Sequence, residues 1–255
     1  MIQISLEEKM NKDEQAVQMV SGDKHTEGCM ICGKELIYGE NAQTHTCFYC
    51  KKEFISNISC AHGHFICDEC HRADSDQILK AILETSSSTN PIELAREVMA
   101  SPAFQMHGPE HHLMVPLVLL TALKNLGVKI TDGQIKNAWL RAKSIPGGSC
   151  GSWGACGAAI GTGIAFSVLR GLTPLSKEIW GQSNRDTAEI LQHVGAYGGP
   201  RCCKRSTYSA LLAAMKIIER DKIAEFPKGS HDIPKCKDFW RNKQCLKTEC
   251  PYYPR

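Results

Sequence analysis

The sequence predicts a mostly α fold with three parts: a treble-clef or ribbon-like cysteine-rich module, an all-α helical domain and a short cysteine-bearing C-terminal tail. Seven cysteines crowd residues 29–71, where aliphatic side chains are few. Apolar residues at helical spacing begin after Asp74, and three further cysteines follow residue 230. We therefore predict a polar arm over residues 1–24, the module over 25–73, the helical domain over 74–226 and the tail over 227–255.

The composition is that of an ordinary globular protein except for its cysteine content. Of the 255 residues, 42% are hydrophobic and 22% are charged, and a net charge of +3 gives no overall basic field that would indicate nucleic-acid binding. Fourteen cysteines would indicate disulfides in a secreted chain, but residues 1–20 lack the apolar core of a signal peptide. No apolar stretch in the sequence reaches the roughly 20 residues of a membrane span. We therefore expect a cytoplasmic protein, with no membrane contact, whose cysteines bind metal or carry thiol chemistry.

The N-terminal module contains ligands for two zinc ions. Because it has too few aliphatic residues for a hydrophobic core, its folding free energy must come from metal binding. Two cysteine pairs with the two-residue gap of a zinc knuckle precede a segment with three more cysteines and several histidines. The predicted ligands are Cys29, Cys32, Cys47, Cys50, Cys60, His64, Cys67 and Cys70.

The spacing of these ligands leaves two pairings open. In the cross-braced pairing, one ion is bound by Cys29, Cys32, Cys60 and either His62 or His64, and the other by Cys47, Cys50, Cys67 and Cys70. In the sequential pairing, Cys29 and Cys32 join Cys47 and Cys50, and Cys60 and His64 join Cys67 and Cys70. Both pairings fill all four coordination positions, so we expect structural ions in a module that docks a partner.

Capping signals and apolar stripes predict the helical domain. Asn90 supplies an N-cap with Pro91 at the first helical position, and Thr131 forms a capping box with Gln134. An apolar stripe follows Asp74, formed by Ile78, Leu79, Ile82 and Leu83. Further helices are predicted over residues 110–126, 155–170, 184–194 and 203–221.

Four cysteines of the helical domain lie at predicted helix N-termini. Cys150 and Cys156 precede one helix, and Cys202 and Cys203 begin another. Unpaired amides and the helix dipole stabilise thiolates at such positions, so two termini that face each other would form a thiolate pocket. Three interpretations remain open: an iron–sulfur cluster, a redox or sulfur-carrying dithiol, and buried cysteines that serve as small hydrophobic residues.

A histidine-rich segment, residues 106–112, is a second candidate for chemistry. Pro109 can begin a helix, which places an acid and two histidines in its first turn. These side chains can bind a metal or act as catalytic acids and bases, or they can simply cap the helix. The candidate catalytic residues are His107, Glu110, His111 and His112.

The C-terminal tail carries Cys236, Cys245 and Cys250 among aromatic residues. This spacing is similar to that of a three-cysteine, one-histidine RNA-binding finger, but the closing histidine after Cys250 is missing. Either His231 closes a zinc site from the other side, or the three cysteines ligate an iron–sulfur cluster.

Three passages carry a resemblance: residues 47–71, the Met-His-Gly-Pro-Glu-His-His segment at 106–112, and Gly-Gly-Pro-Arg-Cys-Cys at 198–203. Together they resemble an uncharacterised domain family of anaerobic archaea and bacteria. The resemblance covers about residues 45–254, and the pair Cys29 and Cys32 is an addition to its pattern. It implies an anaerobic cytoplasm, in which iron–sulfur clusters survive. It also implies a methyltransferase partner, because some members are joined to a methyltransferase domain.

The leading functional prediction is an iron–sulfur-dependent enzyme of sulfur transfer or desulfuration with a structural zinc module. One rival is a non-catalytic zinc-binding adaptor for a methyltransferase or an RNA partner. The other is a cluster-free thiol redox protein. The candidate cofactor ligands are Cys150, Cys156, Cys202, Cys203, Cys236, Cys245 and Cys250.

Overall fold

A computed structural model describes residues 29, 31–32, 34, 36–67, 70 and 74–255. The predicted arm over residues 1–24 lies outside the described residues. The fold is mostly helical, as predicted, with one small sheet near the N-terminus. Its elements are β1 (Leu36–Thr46), β2 (Glu53–Cys60), α1 (Ser75–Thr85), α2 (Pro91–Met99), α3 (Glu110–Asn125), α4 (Asp132–Lys143), α5 (Ser149–Ser152), α6 (Gly157–Leu169), α7 (Glu178–Gly195), α8 (Cys203–Arg220) and a 3-10 turn (Lys247–Glu249).

The two strands form a hairpin that holds metal ligands at both of its ends. They are antiparallel, with Leu36 opposite Cys60 and Thr46 opposite Glu53, and the register shifts once between these pairs. Cys47 directly follows β1, whereas Cys60 ends β2. The hairpin therefore places these two cysteines at opposite ends, where they cannot bind one ion.

Helix α3 is the centre of the helical domain. Every residue from His111 to Leu123 is buried, and α3 packs against α2, α4, α6 and α8. Pro116 lacks the N–H group that would bond to the carbonyl of His112. A Cβ atom on Gly161 of α6 would lie only 2.9 Å from that carbonyl oxygen and 3.0 Å from Pro116 Cδ, so glycine permits the close approach of the two helices. No helix of the described residues, α3 included, is both long and apolar enough to cross a membrane.

Helices α2 and α4 begin where the capping signals predicted. The Asn90 side chain accepts a hydrogen bond from the Ile92 amide at 2.9 Å, and Pro91 is the first residue of α2. Thr131 and Gln134 form the predicted capping box of α4. The buried face of α1 is the predicted stripe, with Ile78, Leu79 and Ile82 inside.

Two helices differ from their predicted bounds. The helix predicted over 155–170 begins at Gly157, and the separate single turn α5 precedes it. The helix predicted over 184–194 already begins at Glu178. Its first turns expose Trp180 to solvent at 53%, so no buried stripe marks them in the sequence.

The C-terminal segment is fastened to the helical domain. Phe226, the last residue of the predicted helical domain, is buried. The Cys236 amide donates to the Tyr252 carbonyl at 2.7 Å, which closes the segment into a loop, and the Tyr252 and Ser209 hydroxyls lie 2.9 Å apart. His231 lies 3.0 Å from a glutamate oxygen of α8, so it does not join the tail cysteines. The tail is therefore a packed unit on α8.

A buried carboxylate joins α6, α7 and α8. Asp186 of α7 is 1% exposed and lies 2.7 Å from both Arg170, at the end of α6, and Arg220, at the end of α8. Burial alone would raise the pKa of Asp186, but hydrogen bonds from Arg220 and Arg170 lower it below its ordinary value. The carboxylate is therefore ionised and ties the three helices together.

Candidate metal centres and thiol site

Two sets of metal ligands converge in the N-terminal module. Within each set the four ligand atoms lie within 4.8 Å of one another, close enough for one ion to contact all of them. The two sets alternate along the chain. The fold therefore brings together the ligands of the cross-braced pairing and not those of the sequential pairing. The first set is Cys29, Cys32, Cys60 and His64, and the second is Cys47, Cys50, Cys67 and Cys70.

His64, and not His62, completes the first set. Its Nδ1 atom lies 3.3 Å from Cys60 Sγ and 3.8 Å from Cys29 Sγ. The exposed His62 ring lies edge-on to His64, with the ring centres 6.3 Å apart. Spacing in the sequence could not distinguish these two histidines, because only the turn after β2 decides which ring faces the thiols.

Backbone amides are directed at the ligand sulfurs. The amides of His62 and His64 donate to Cys60 Sγ at 3.3 Å, and the Cys67 amide donates to Cys47 Sγ at 3.4 Å. Hydrogen bonds of this kind stabilise metal-bound thiolates and fix their orientation. Both sets therefore have backbone hydrogen bonds of the kind that support metal-bound thiolates.

Burial and backbone amides shift the pKa values of the ligand thiols in opposite directions. Burial raises the pKa of Cys29 to about 11. Burial also opposes ionisation of Cys47, but the amides of Cys67, Cys50 and Tyr49 outweigh it and lower the pKa of Cys47 to about 7. A divalent cation stabilises all the thiolates of a set and releases their protons, so zinc affinity should fall as the pH falls.

The seven cysteines outside the module do not form one site. Cys202 lies with the three tail cysteines. Cys203, the next residue, has Cys156 and Glu110 as neighbours. Cys150 is exposed in α5. One small cavity is lined by Cys202, Cys236, Cys245 and Cys250.

The N-termini of α6 and α8, two helices that pack against each other, each carry a thiol, and we call these two residues the thiol pair. Cys156 is the N-cap of α6 and Cys203 is the first residue of α8. Burial raises the pKa of Cys203 to about 11; the Gly108 amide opposes this rise, and negative charge on Cys156, Cys202 and Glu110 adds to it. Cys203 is therefore a protonated thiol at neutral pH, and a base must remove its proton before it can react.

Glu110 and its two following histidines surround this thiol pair with polar groups. Glu110 Oε1 lies 3.4 Å from His111 Nδ1. His111 Nδ1 is also 3.2 Å from the Gly108 carbonyl, and His112 Nδ1 is 3.5 Å from the Ile145 carbonyl. Backbone carbonyls thus contact both rings at Nδ1, and no side-chain hydrogen bond caps the N-terminus of α3.

Two buried imidazole nitrogens of this segment, His107 Nδ1 and His111 Nε2, have no hydrogen-bond partner among the described residues. Burial lowers the pKa of His107, His111 and His112, so these rings are neutral. Burial alone would raise the pKa of Glu110, but its hydrogen bond with His111 and further contacts lower it, so the carboxylate is ionised. Since buried polar atoms are nearly always paired, this concentration of unpaired atoms indicates a functional site.

Lys204 is a site residue that sequence reasoning missed. Its side chain is fully buried, and Nζ lies 3.2 Å from the Phe104 carbonyl and 3.5 Å from the Met99 carbonyl. Burial lowers the pKa of Lys204, and the charge of Glu110 partly offsets this. The one available signal was a lysine in the first turn of a helix, where the helix dipole disfavours positive charge.

Replacing Gly157 with alanine should disturb this site. A Cβ atom there would lie 2.3 Å from His112 Cδ2, and the His112 ring is buried and held at Ile145. Because the ring must shift, we expect a loss of about 1–3 kcal/mol in the free energy of unfolding, measured in urea. Gly195→Ala is the matched control, since nothing lies within 4 Å of its added Cβ. Equal stability of the two variants would contradict the described contact.

A groove of about 920 Å³ separates the N-terminal module from α2 and the C-terminal segment. Three members of the first ligand set, Cys29, Cys32 and His64, line one wall, and Arg96, Lys237 and Arg241 lie on the others. Trp240 is 70% exposed at this groove. Exposed tryptophan and arginine are typical of surfaces that bind a partner.

A family model described as a family of unknown function, DUF5714, matches residues 79–253. The chain belongs to this family. The predicted membership of an uncharacterised family is thus confirmed, although the match begins at residue 79 and not near residue 45. The DUF5714 region contains the thiol pair, the histidine-rich segment and the tail cysteines, whereas both ligand sets of the module precede it. No curated protein and no solved structure matches the chain.

Proposed function

We propose that this DUF5714 protein is an enzyme of sulfur transfer or desulfuration with a structural zinc module. The observation that supports the enzyme is the buried polar segment near the Cys156 and Cys203 thiols, with its two unpaired imidazole nitrogens. Core residues that serve only stability seldom leave such atoms unpaired. An ionised carboxylate, neutral imidazoles and a thiol at one place are the groups that sulfur chemistry needs.

The two zinc ions of the proposal are structural. Each set supplies four protein ligands and leaves no position for a substrate. Cys47, Cys67 and Cys70 of the second set are also part of the hydrophobic core that includes the helical domain. Zinc would thus fasten the module to the domain that carries the thiols.

In the proposed reaction Cys203 is the sulfur acceptor. Glu110 takes the proton of the Cys203 thiol, and the resulting thiolate attacks the outer sulfur of a persulfide, R–S–SH. A bond forms between Cys203 Sγ and the outer sulfur, and the sulfur–sulfur bond of the donor breaks. The donor leaves as a thiolate, which takes the proton from Glu110. The products are a Cys203 persulfide and a thiol, so the step needs no oxidant or reductant.

Persulfide loading tests this proposal. The full chain is incubated with a small-molecule persulfide, and mass spectrometry of peptides measures the addition of one sulfur atom to Cys203. We expect loading of the wild type, none at this site in Cys203→Ala, and a rate reduced roughly 100-fold or more in Glu110→Gln, because general-base catalysis is lost. Cys150→Ala, which removes an exposed cysteine, is the control that should load normally. Unchanged loading of Glu110→Gln would contradict the assigned base.

The groove favours a second candidate, a non-catalytic adaptor that binds a methyltransferase or RNA partner through Trp240 and the zinc module. On this alternative, Trp240→Ala weakens partner binding and no persulfide forms on Cys203. A disulfide between Cys156 and Cys203, with no added sulfur, would instead favour a thiol redox protein.

A further inference from the structure

Four cysteines that are distant in sequence meet at the tail. Cys202 comes from the N-cap of α8, and Cys236, Cys245 and Cys250 come from the segment after that helix. Together they line a cavity of about 20 Å³. The contacts of the tail with α8 and with itself hold this arrangement, so the site is built by the fold.

Backbone amides are directed at these sulfurs as they are in the zinc module. Three of the four thiols accept such a hydrogen bond at 3.3–3.5 Å, and the pattern of an amide two residues after the cysteine repeats that of Cys60. Amides in this position stabilise thiolates that are bound to metal. The donor and acceptor pairs are Arg205 with Cys202, Asp238 with Cys236, and Lys247 with Cys245.

The spacing of the sulfurs distinguishes this site from a zinc site. Tetrahedral zinc with bonds of about 2.3 Å places its sulfurs about 3.8 Å apart. In the zinc module, neighbouring sulfurs are 3.9 Å apart. Within the described residues, two groups have three or more ligand atoms within 4.8 Å of one another, and both lie in the N-terminal module. The four tail sulfurs form no such group, so they are more widely spaced. A four-iron cluster, in which each thiolate binds a different iron, needs sulfurs roughly 6 Å apart around a central space.

The walls of the cavity suit a buried cluster. Apart from the cysteines, they are mainly sulfur-containing and aromatic side chains, which exclude water. Arg205 also lines the cavity, and its guanidinium donates to the carbonyls of Gly198 and Pro200 at 2.8 and 2.9 Å. A dry shell with a fixed positive charge stabilises the negative charge of a thiolate-bound cluster. The apolar lining residues are Met106, Tyr208, Phe239, Tyr252 and Tyr253.

We propose that Cys202, Cys236, Cys245 and Cys250 bind a [4Fe–4S] cluster. This assignment leaves out Cys150, Cys156 and Cys203 of the seven candidates. It goes beyond the proposed sulfur transfer, because persulfide loading of Cys203 does not require a cluster. A cluster without loading would contradict the proposed function alone, and loading without a cluster would contradict this inference alone.

The experiment measures iron, acid-labile sulfide and zinc in full-length protein purified without oxygen. We expect about four iron and four sulfide per chain besides the zinc, with visible absorption near ~400 nm. Cys202→Ser and Cys250→Ser should lose most of the iron and sulfide and keep the zinc. The matched control is Cys203→Ser, which changes the neighbouring residue and should keep the cluster. Circular dichroism verifies that the helices of each variant remain folded.

Two results would overturn the inference. One is a colourless protein that contains a third zinc ion and no sulfide. The other is an equal loss of iron from Cys202→Ser and Cys203→Ser. If a variant does not fold, metal-free wild type is instead supplied with ferrous iron and sulfide under anaerobic conditions. Failure to form the cluster would then reject the site as well.

Discussion

Replacing Cys47 with serine is expected to release one zinc ion and to unfold the N-terminal module. Cys47 is fully buried in the second ligand set and belongs to the same hydrophobic core as the helical domain. The module has little other apolar surface to hold it, and structural zinc in small domains contributes roughly 10 kcal/mol or more of apparent binding free energy. The loss should therefore exceed what the remaining contacts of the hairpin can compensate.

Zinc content and limited proteolysis check this prediction. We expect the zinc content to fall by at least one ion per chain and cleavage to concentrate within residues 36–67. The helical signal should stay largely intact, because α3 and its neighbours supply most of the shared core. His62→Ala is the control, since it removes an exposed ring beside the first set and should retain both ions. Full zinc content in Cys47→Ser would refute the described ligand set.

Asp186→Asn is expected to lower the free energy of unfolding by about 1.5–3 kcal/mol, because it removes the charge from the buried acceptor of two arginine hydrogen bonds. The change keeps the shape of the side chain, and Arg170 and Arg220 retain Asp221 as a less buried counter-charge. Urea unfolding at neutral pH measures the loss. Asp132→Asn, which removes an exposed partner of Lys124, should leave stability nearly unchanged.

Acid sensitivity gives a second test of the same carboxylate. The pKa of Asp186 in the folded protein is lowered relative to its ordinary value of 3.8. Its contribution to stability is therefore complete above that value and is lost as the pH falls through the lower, folded pKa. The wild type should lose this increment in the acid range, whereas Asp186→Asn should lack it at every pH. Identical acid curves for both proteins would show that the ion pair adds nothing.

The two sets of candidate metal ligands and the helix starts could be predicted from sequence because both depend on local spacing. A two-residue gap between cysteines and a capping box at Thr131 are complete within a few residues. The pairing of the ligands depends instead on the hairpin, which places Cys47 and Cys60 at opposite ends. Sequence spacing contains no information about that distance.

The grouping of the remaining cysteines depends on contacts across the fold. Cys202 meets the tail only because the tail folds back onto α8 through Tyr252 and Ser209. Lys204 shows the same limit, since lysine is seldom fully buried and a position in the first turn of a helix does not by itself mark it as buried. Local patterns thus indicated the candidate residues, whereas tertiary contacts determine which of these residues lie together.

The division falls between two consecutive residues. Cys202 belongs to the cavity at the tail and Cys203 to the thiol pair, and consecutive Cα atoms are only about 3.8 Å apart. The peptide bond between Cys202 and Cys203 therefore separates the tail cavity from the thiol pair. Neither cysteine can move far without displacing the other. Any event at one site that shifts the first turn of α8 therefore also moves the cysteine of the other site.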